Sequence, residues 1–248
     1  VGRRLHRPVG IAVAALTAAS FYVQPHIVDR LVSQPWGFGF PLLAIAAWRL
    51  PPVAASHSAA APAAHGVLAV LRRPVVAWFF AGVFLTVLAH TSLYIFFSLY
   101  VVELGYGKSA VGLLWAVSVV AVFVFFWTQG RWFARWNAPT WLVVAAAASV
   151  LRFAAIAAFA DVAIVLVFAQ TLHALTFAAQ HAACITLIDK HFAGALRGRG
   201  QALYTTLGYG ASGVLGGLIG GAISERFGFA AVFAAAALVS IAAFVCCW

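Results

Sequence analysis

Arg152 is the one charged residue inside a long apolar run of this chain. A guanidinium keeps its charge and presents donors in a planar fork that matches a carboxylate. Holding it in a membrane span costs roughly 2.5–3.5 kcal/mol on insertion scales. An arginine kept in spite of that faces a polar interior or a partner, so Arg152 marks a place where the chain meets something negative.

The groups that would surround such a charge fall on helical faces. At about 100° per residue, Gln170, His173, Phe177, Gln180, His181 and Cys184 share an arc of roughly 100° on a helix over residues 162–187. The opposite face carries Leu172, Leu175, Ala178, Ala179, Ala182 and Ala183. Interhelical hydrogen bonding accounts for an isolated polar residue in a span. Two histidines and two glutamines on one stripe read better as the lining of a water-accessible cavity. His90, Thr91, Tyr94 and Ser98 share a similar arc on the run 75–102, with Phe97 adding aromatic surface near it. Imidazole, phenol and amide groups around one guanidinium suit a small anion with an apolar or aromatic body, its carboxylate held by the arginine fork.

These faces need membrane helices to position them. The chain of 248 residues is 65% apolar and 8% charged, with a mean hydropathy of +1.03. Soluble domains average about a quarter charged residues. Six strong apolar runs occupy roughly 75–102, 110–128, 140–159, 162–187, 201–223 and 228–247, each long enough for one crossing at about 20 residues. Ser109 is the expected N-cap of the second. Two weaker runs precede them, 9–25 and 36–50, and the stretch 51–73, rich in Ala, Pro, His and Ser, reads as a flexible cytoplasmic linker. The fold class is therefore all-α, a multi-pass membrane helical bundle. Residues 1–50 supply up to two weak spans, 51–73 the linker and 74–248 a six-helix bundle.

The net charge of +10 invites a nucleic-acid reading that its placement opposes. With the N-terminus inside, Arg3, Arg4, Arg7, Arg49, Arg72, Arg73, Arg131, Arg135, Lys190, Arg197 and Arg199 fall on the inner side. Arg30, Lys108 and Arg226 fall outside. That is the positive-inside pattern of an inner (plasma) membrane protein with both termini cytoplasmic. Trp127, Trp132, Trp136 and Trp141 flank one inner loop and read as interface anchors. The first apolar run lacks the small-residue cleavage site of a secretory signal.

Other chemistries find little support. Gly107-Lys108-Ser109 resembles the end of a phosphate loop, but the glycine required five residues before Gly107 is Val102. Cys184, Cys246 and Cys247 have no zinc or disulfide spacing. His173 and His181 stand eight residues apart, about 12 Å along a helix, too far to share a metal ion by themselves. The acidic residues Asp29, Glu103, Asp161, Asp189 and Glu225 all sit at loops or span ends. No nucleophile–base pair stands out, so an enzyme is not expected, and neither a cofactor nor a metal is called for. In the run 201–223, Gly213, Gly216, Gly217, Gly220 and Gly221 form overlapping small-xxx-small motifs. They allow close helix approach, for static packing or for sliding.

The stretches LAHTSLYIFFSLYVVELGYGKSAVGLLWAVSVVA, SVLRFAAIAAF, AQTLHALTFAAQHAA and GRGQALYTTLGYG occur in the order seen in one group of permeases. Residues 72–227 resemble the second half of a major facilitator superfamily permease, in the phenylpropionate-permease-like branch grouped with nucleoside and oligosaccharide proton symporters. The resemblance implies twelve helices in two halves, with solute held between them near the midplane. The six strong runs would be helices seven to twelve. It places His90, Tyr94, Trp115, Arg152, Gln170, His173, His181, Gln201 and Tyr204 at the solute cavity, and the polar stripe on 162–187 adds Gln180 to that candidate lining. The family's eighth helix usually carries a glutamate where this chain has Val122. A carboxylate is a natural proton carrier, and His173 and His181 are the substitutes, since imidazole titrates near neutral pH.

The chain has no methionine and begins at Val1, which reads as a fragment or as an alternative start. Nothing in it corresponds to helices one to four. Two functions follow. One is secondary active transport of a small organic solute, an aromatic carboxylate fitting best, by alternating access with or without protons: the function of the parent if the chain is a fragment, and one that needs a second copy or a separate partner half if it is complete. The other is a truncated, transport-incompetent permease fragment.

Overall fold

The computed structural model describes residues 66–248; the readings made for 1–50 and 51–65 lie outside the described residues. The last part of the stretch read as a linker forms one short helix, α1 (Val67–Leu71). Then come α2 (Pro74–Glu103), α3 (Lys108–Phe133), α4 (Ala138–Phe159), α5 (Ala163–Thr171), α6 (Gln180–His191), α7 (Arg197–Leu203) and α8 (Ser212–Cys247). α5 continues into α6 through a π-helical segment, Ala174–Ala179. A second one, Tyr204–Ala211, joins α7 to α8.

Local chemistry sets the boundaries. Pro74 opens α2, where its missing N–H costs nothing. α2 ends before Gly105, whose φ of 90° few other residues adopt. α3 starts two residues earlier than the sequence suggests: Gly107 is the N-cap, and Ser109 lies inside the first turn. Asn137 caps α4, its side-chain oxygen accepting from the Thr140 backbone N–H at 3.0 Å.

Among the described residues, five helical stretches are long and apolar enough to cross a membrane: Pro74–Glu103, Lys108–Phe133, Ala138–Phe159, Ala163–His191 and Arg197–Cys247. The last has 51 residues. At 1.5 Å per residue a straight helix of that length would be about 76 Å long, against roughly 30 Å of hydrocarbon. Gly228 resolves the mismatch, with φ 79° and ψ 172° inside α8. Before it the chain runs parallel to α2: a Cβ at Gly216 would meet Thr91, and one at Gly220 would meet Phe96. After it the chain runs back. Phe229 lies against Tyr100 with ring centroids 6.1 Å apart, and Cys247 approaches Gly82. The two limbs are the fifth and sixth strong runs of the sequence, so the bundle has six joined helices.

Among the motif glycines, Gly216 and Gly220 make the close approaches, Gly217 is in ordinary contact with Ile95, and Gly213 and Gly221 meet nothing within 4 Å. Trp127, Trp132 and Trp136 are exposed, as interface anchors would be, but Trp141 is buried. It packs among Phe125, Phe133 and Trp136, where its indole fills core space.

Two apolar clusters make the core. One gathers Phe79, Phe80, Trp141, Leu187, Ile188 and Phe192. The other gathers Leu93, Phe97, Tyr100, Phe153, Ile156 and Phe233. On α2 the first cluster reaches Val87 and the second begins at Ala89. On α4 the first includes Leu142 and the second begins at Phe153. His90 and Arg152 therefore lie where the two clusters meet.

Candidate functional site

Arg152 is completely buried, on the face of α4 that also buries Ser149, Phe153 and Ile156. The segment 170–176 wraps it. One terminal nitrogen, NH1, donates to Nδ1 of His173 at 2.8 Å and to the Thr176 hydroxyl at 3.0 Å. The other, NH2, donates to Oε1 of Gln170 at 2.7 Å. Gln170 and Thr176 are fully buried, and His173 is 7% exposed. All three acceptors are neutral groups. The one ion pair among the described residues joins Arg197 to Asp189 at 2.5 Å, linking α7 to α6 at an exposed position. No carboxylate among the described residues reaches Arg152.

Arginine only donates, so the bond to His173 assigns an acceptor lone pair to Nδ1 and the ring proton to Nε2. The same logic orients Gln170, whose oxygen faces the guanidinium and whose amide nitrogen does not. Among the described residues five buried polar side-chain atoms lack a partner. Three belong here: Arg152 Nε, Gln170 Nε2 and His90 Nε2. Two of these are donors and one is an acceptor. An unmet buried donor or acceptor costs about 1–3 kcal/mol, so these three atoms leave hydrogen-bonding capacity in reserve on Arg152, Gln170 and His90.

Aromatic rings close the site. The rings of His90, Tyr94 and His173 form a triangle with centroid separations of 6.2, 6.1 and 6.2 Å. Trp115, from α3, stacks on Tyr94 at 6.4 Å and 13° and is held by its indole N–H donating to the Ser98 hydroxyl at 3.0 Å. His90 is anchored through Nδ1, which donates to the Thr86 carbonyl at 3.0 Å. Phe153 meets its ring edge-on at 5.4 Å.

The remaining candidates form a second group. Phe177 stacks on His173 at 5.2 Å and on His181 at 6.0 Å. His181 Nδ1 lies 3.0 Å from the Tyr204 hydroxyl, which is 3.2 Å from that of Tyr209. Gln180 is buried, its amide nitrogen unpartnered, with no hydrogen bond to the Arg152 group. Gln201 is exposed. The sequence stripe treats 162–187 as an unbroken α-helix. The π-helical turn at Ala174–Ala179 changes its phase, so Gln170 and His173 turn to Arg152 while His181 turns to Tyr204. Such turns are rare and cluster at functional positions; this one and its counterpart at Tyr204–Ala211 bracket the His181–Tyr204 contact.

Thr176 and Tyr209 are contributors that sequence reasoning missed. Thr176 is three residues after His173, an i,i+3 relation that places it on the same side. Tyr209 follows Tyr204 by five, the repeat of a π-helix. The face read as water-lined is here closed upon itself, because the guanidinium takes its acceptors from neighbouring side chains. Val122, at the position expected to carry a glutamate, is half-buried against the cluster that contains Phe125 and Trp141.

Residues 12–235 match the model of the MFS_1 like family. Over 155 residues the chain is 31% identical to a protein of Escherichia coli (strain K12) named as a probable 3-phenylpropionic acid transporter. The alignment covers 62% of this chain and 40% of that relative. The crystal structure of the nucleoside transporter NupG superposes with a TM-score of 0.61 over 82% of this chain and 56% of that one, at 17% identity. That likeness concerns the fold. The chain thus spans about two-fifths of the length of the first protein and just over half of the second.

Proposed function

The chain belongs to the MFS_1 like family, and on that premise we propose that it takes part in secondary transport of a small organic acid across the inner membrane, by alternating access. The observation that carries this reading is the state of Arg152, wholly buried and bonded only to neutral side chains. A buried charge without a counter-charge is strongly disfavoured. An incoming carboxylate supplies what is lacking: it neutralises the guanidinium and accepts from the unmet N–H groups of Arg152 and Gln170. The aromatic walls of Tyr94, Trp115 and Phe177 suit a ring behind that carboxylate. The relative in Escherichia coli is named as a probable 3-phenylpropionic acid transporter, which supports an aromatic acid as solute. His90, Gln180, His181 and Tyr204 complete the polar lining in this proposal.

Alternating access places solute between two halves of a carrier. The bundle over 74–248 stands as one half in this reading. The other half lies outside residues 74–248 in this reading. Uptake of labelled 3-phenylpropionate into cells expressing this chain, with the protein confirmed in the membrane, tests the reading. Accumulation above vector controls supports transport by this chain. No accumulation favours the other reading, a permease segment that does not transport alone.

A further inference from the structure

The rings of His90, His173 and His181 pack on aromatic side chains of the candidate site, and their ring nitrogens are not equivalent. His173 uses Nδ1 to accept from Arg152. A proton there would turn an acceptor into a donor facing a donor, breaking the bond and setting two cations against each other. His181 uses Nδ1 with the Tyr204 hydroxyl, and its ring is half-exposed. His90 differs from both. It is 3% exposed, its Nδ1 donates to the Thr86 carbonyl, and its Nε2 is a buried acceptor with no partner. A proton can bind that lone pair without breaking any existing hydrogen bond.

We propose that Nε2 of His90 is where a coupling proton binds when an organic anion occupies Arg152. This rests on the anion reading of the Arg152 site. The groups facing His90 are Tyr94 from its own helix, Phe153 and Arg152 from α4, and His173 from the segment that wraps Arg152. None is acidic; Glu103, Asp161 and Asp189 lie at or near helix ends, and Glu225 lies beside the Gly228 break in α8. While Arg152 is the only charge present, a second positive charge on the buried ring is opposed by repulsion and by lost hydration. An anion at Arg152 removes the repulsion, and its second oxygen accepts from the new Nε2–H. The step is a simple association: the proton arrives from water, an N–H bond forms on the lone pair, and no bond breaks. Anion and proton then bind with positive linkage, each strengthening the other by the same factor. His90 thereby takes the part that a glutamate at the Val122 position would have played.

Calorimetric titration of the full chain in lipid nanodiscs with 3-phenylpropionate, in two buffers of different ionisation enthalpy, counts the protons taken up. The expected wild-type result is about one proton per anion, and an affinity that rises up to roughly tenfold per pH unit of acidification. His90→Asn offers an amide N–H to the Thr86 carbonyl but has no group at Nε2. His90→Gln fills the Nε2 position with an amide that does not titrate. In both variants proton uptake falls to near zero and the residual binding no longer depends on pH. His173→Gln, which still offers Arg152 an acceptor, binds more weakly but keeps its proton uptake. Wild-type binding without proton uptake overturns the His90 proposal alone, as does a full proton taken up by His90→Asn. Absence of any acid binding to the wild-type chain overturns the anion reading, and the proton site with it.

Discussion

His173 accepts a hydrogen bond from Arg152 across 2.8 Å, and that bond sets the protonation pattern of the site. It makes Nδ1 an acceptor and leaves the proton on Nε2. Thr176 and Gln170 add two further acceptors to the same guanidinium. The arginine is thus fixed in orientation before any solute arrives, with its Nε–H still unmet. Preorganisation of this kind lowers the cost of ordering the site on binding.

The first prediction follows from that bond. His173→Phe removes the acceptor and leaves a buried N–H of Arg152 unmet, which should destabilise the bundle by about 1–3 kcal/mol. His173→Gln retains an acceptor and should lose less than half as much. Thermal unfolding in detergent checks the pair. Equal losses would mean that His173 contributes by packing alone.

A second prediction separates glycines that look alike in sequence. A Cβ at Gly216 would stand 2.7 Å from Thr91 Cβ, and one at Gly220 would stand 2.5 Å from Phe96 Cε2. Gly216→Ala and Gly220→Ala should each cost about 1–3 kcal/mol through overpacking. Gly213→Ala and Gly221→Ala meet open space and should be neutral or slightly stabilising, as Ala is the better helix former. The order of melting temperatures across the four variants tests this.

Gly228 supplies a third. Its φ of 79° with ψ of 172° lies in a region that only glycine enters easily, and other residues pay about 1–3 kcal/mol there. Gly228→Ala should lower stability by that amount and loosen the return of the last limb along α2. Cross-linking of paired cysteines introduced at Phe229 and Tyr100, whose rings lie 6.1 Å apart, should fall in the same variant.

The features legible in the sequence were those that depend on exclusion. A charge in an apolar run is conspicuous, so Arg152 stood out, and the gap that holds Glu225 and Arg226 separates the last two runs. His90, Tyr94, His173 and Gln170 followed from polarity on a helical face. What stayed hidden depends on winding and on ordinary residues. The π-helical turn at Ala174–Ala179 is built from Ala, Leu, Thr and Phe and carries no signal, yet it sends His173 and His181 to different partners. Thr176 is unremarkable as a residue type, because a threonine inside a helix most often bonds its own backbone. Trp141 read as an anchor because indole suits both an interface and a core, and only tertiary packing decides between them.

The most direct test of the Arg152 site compares an aromatic acid with its neutral amide. Calorimetric titration of the full chain in lipid nanodiscs with 3-phenylpropionate and with 3-phenylpropionamide isolates the contribution of the carboxylate. The acid should bind the wild-type protein at least about 30-fold more tightly, equivalent to roughly 2 kcal/mol for charge-assisted hydrogen bonds. Arg152→Gln should abolish that preference while the protein remains folded in the membrane. An undiminished preference for the acid in Arg152→Gln would contradict the assignment of Arg152 as the anion-binding residue.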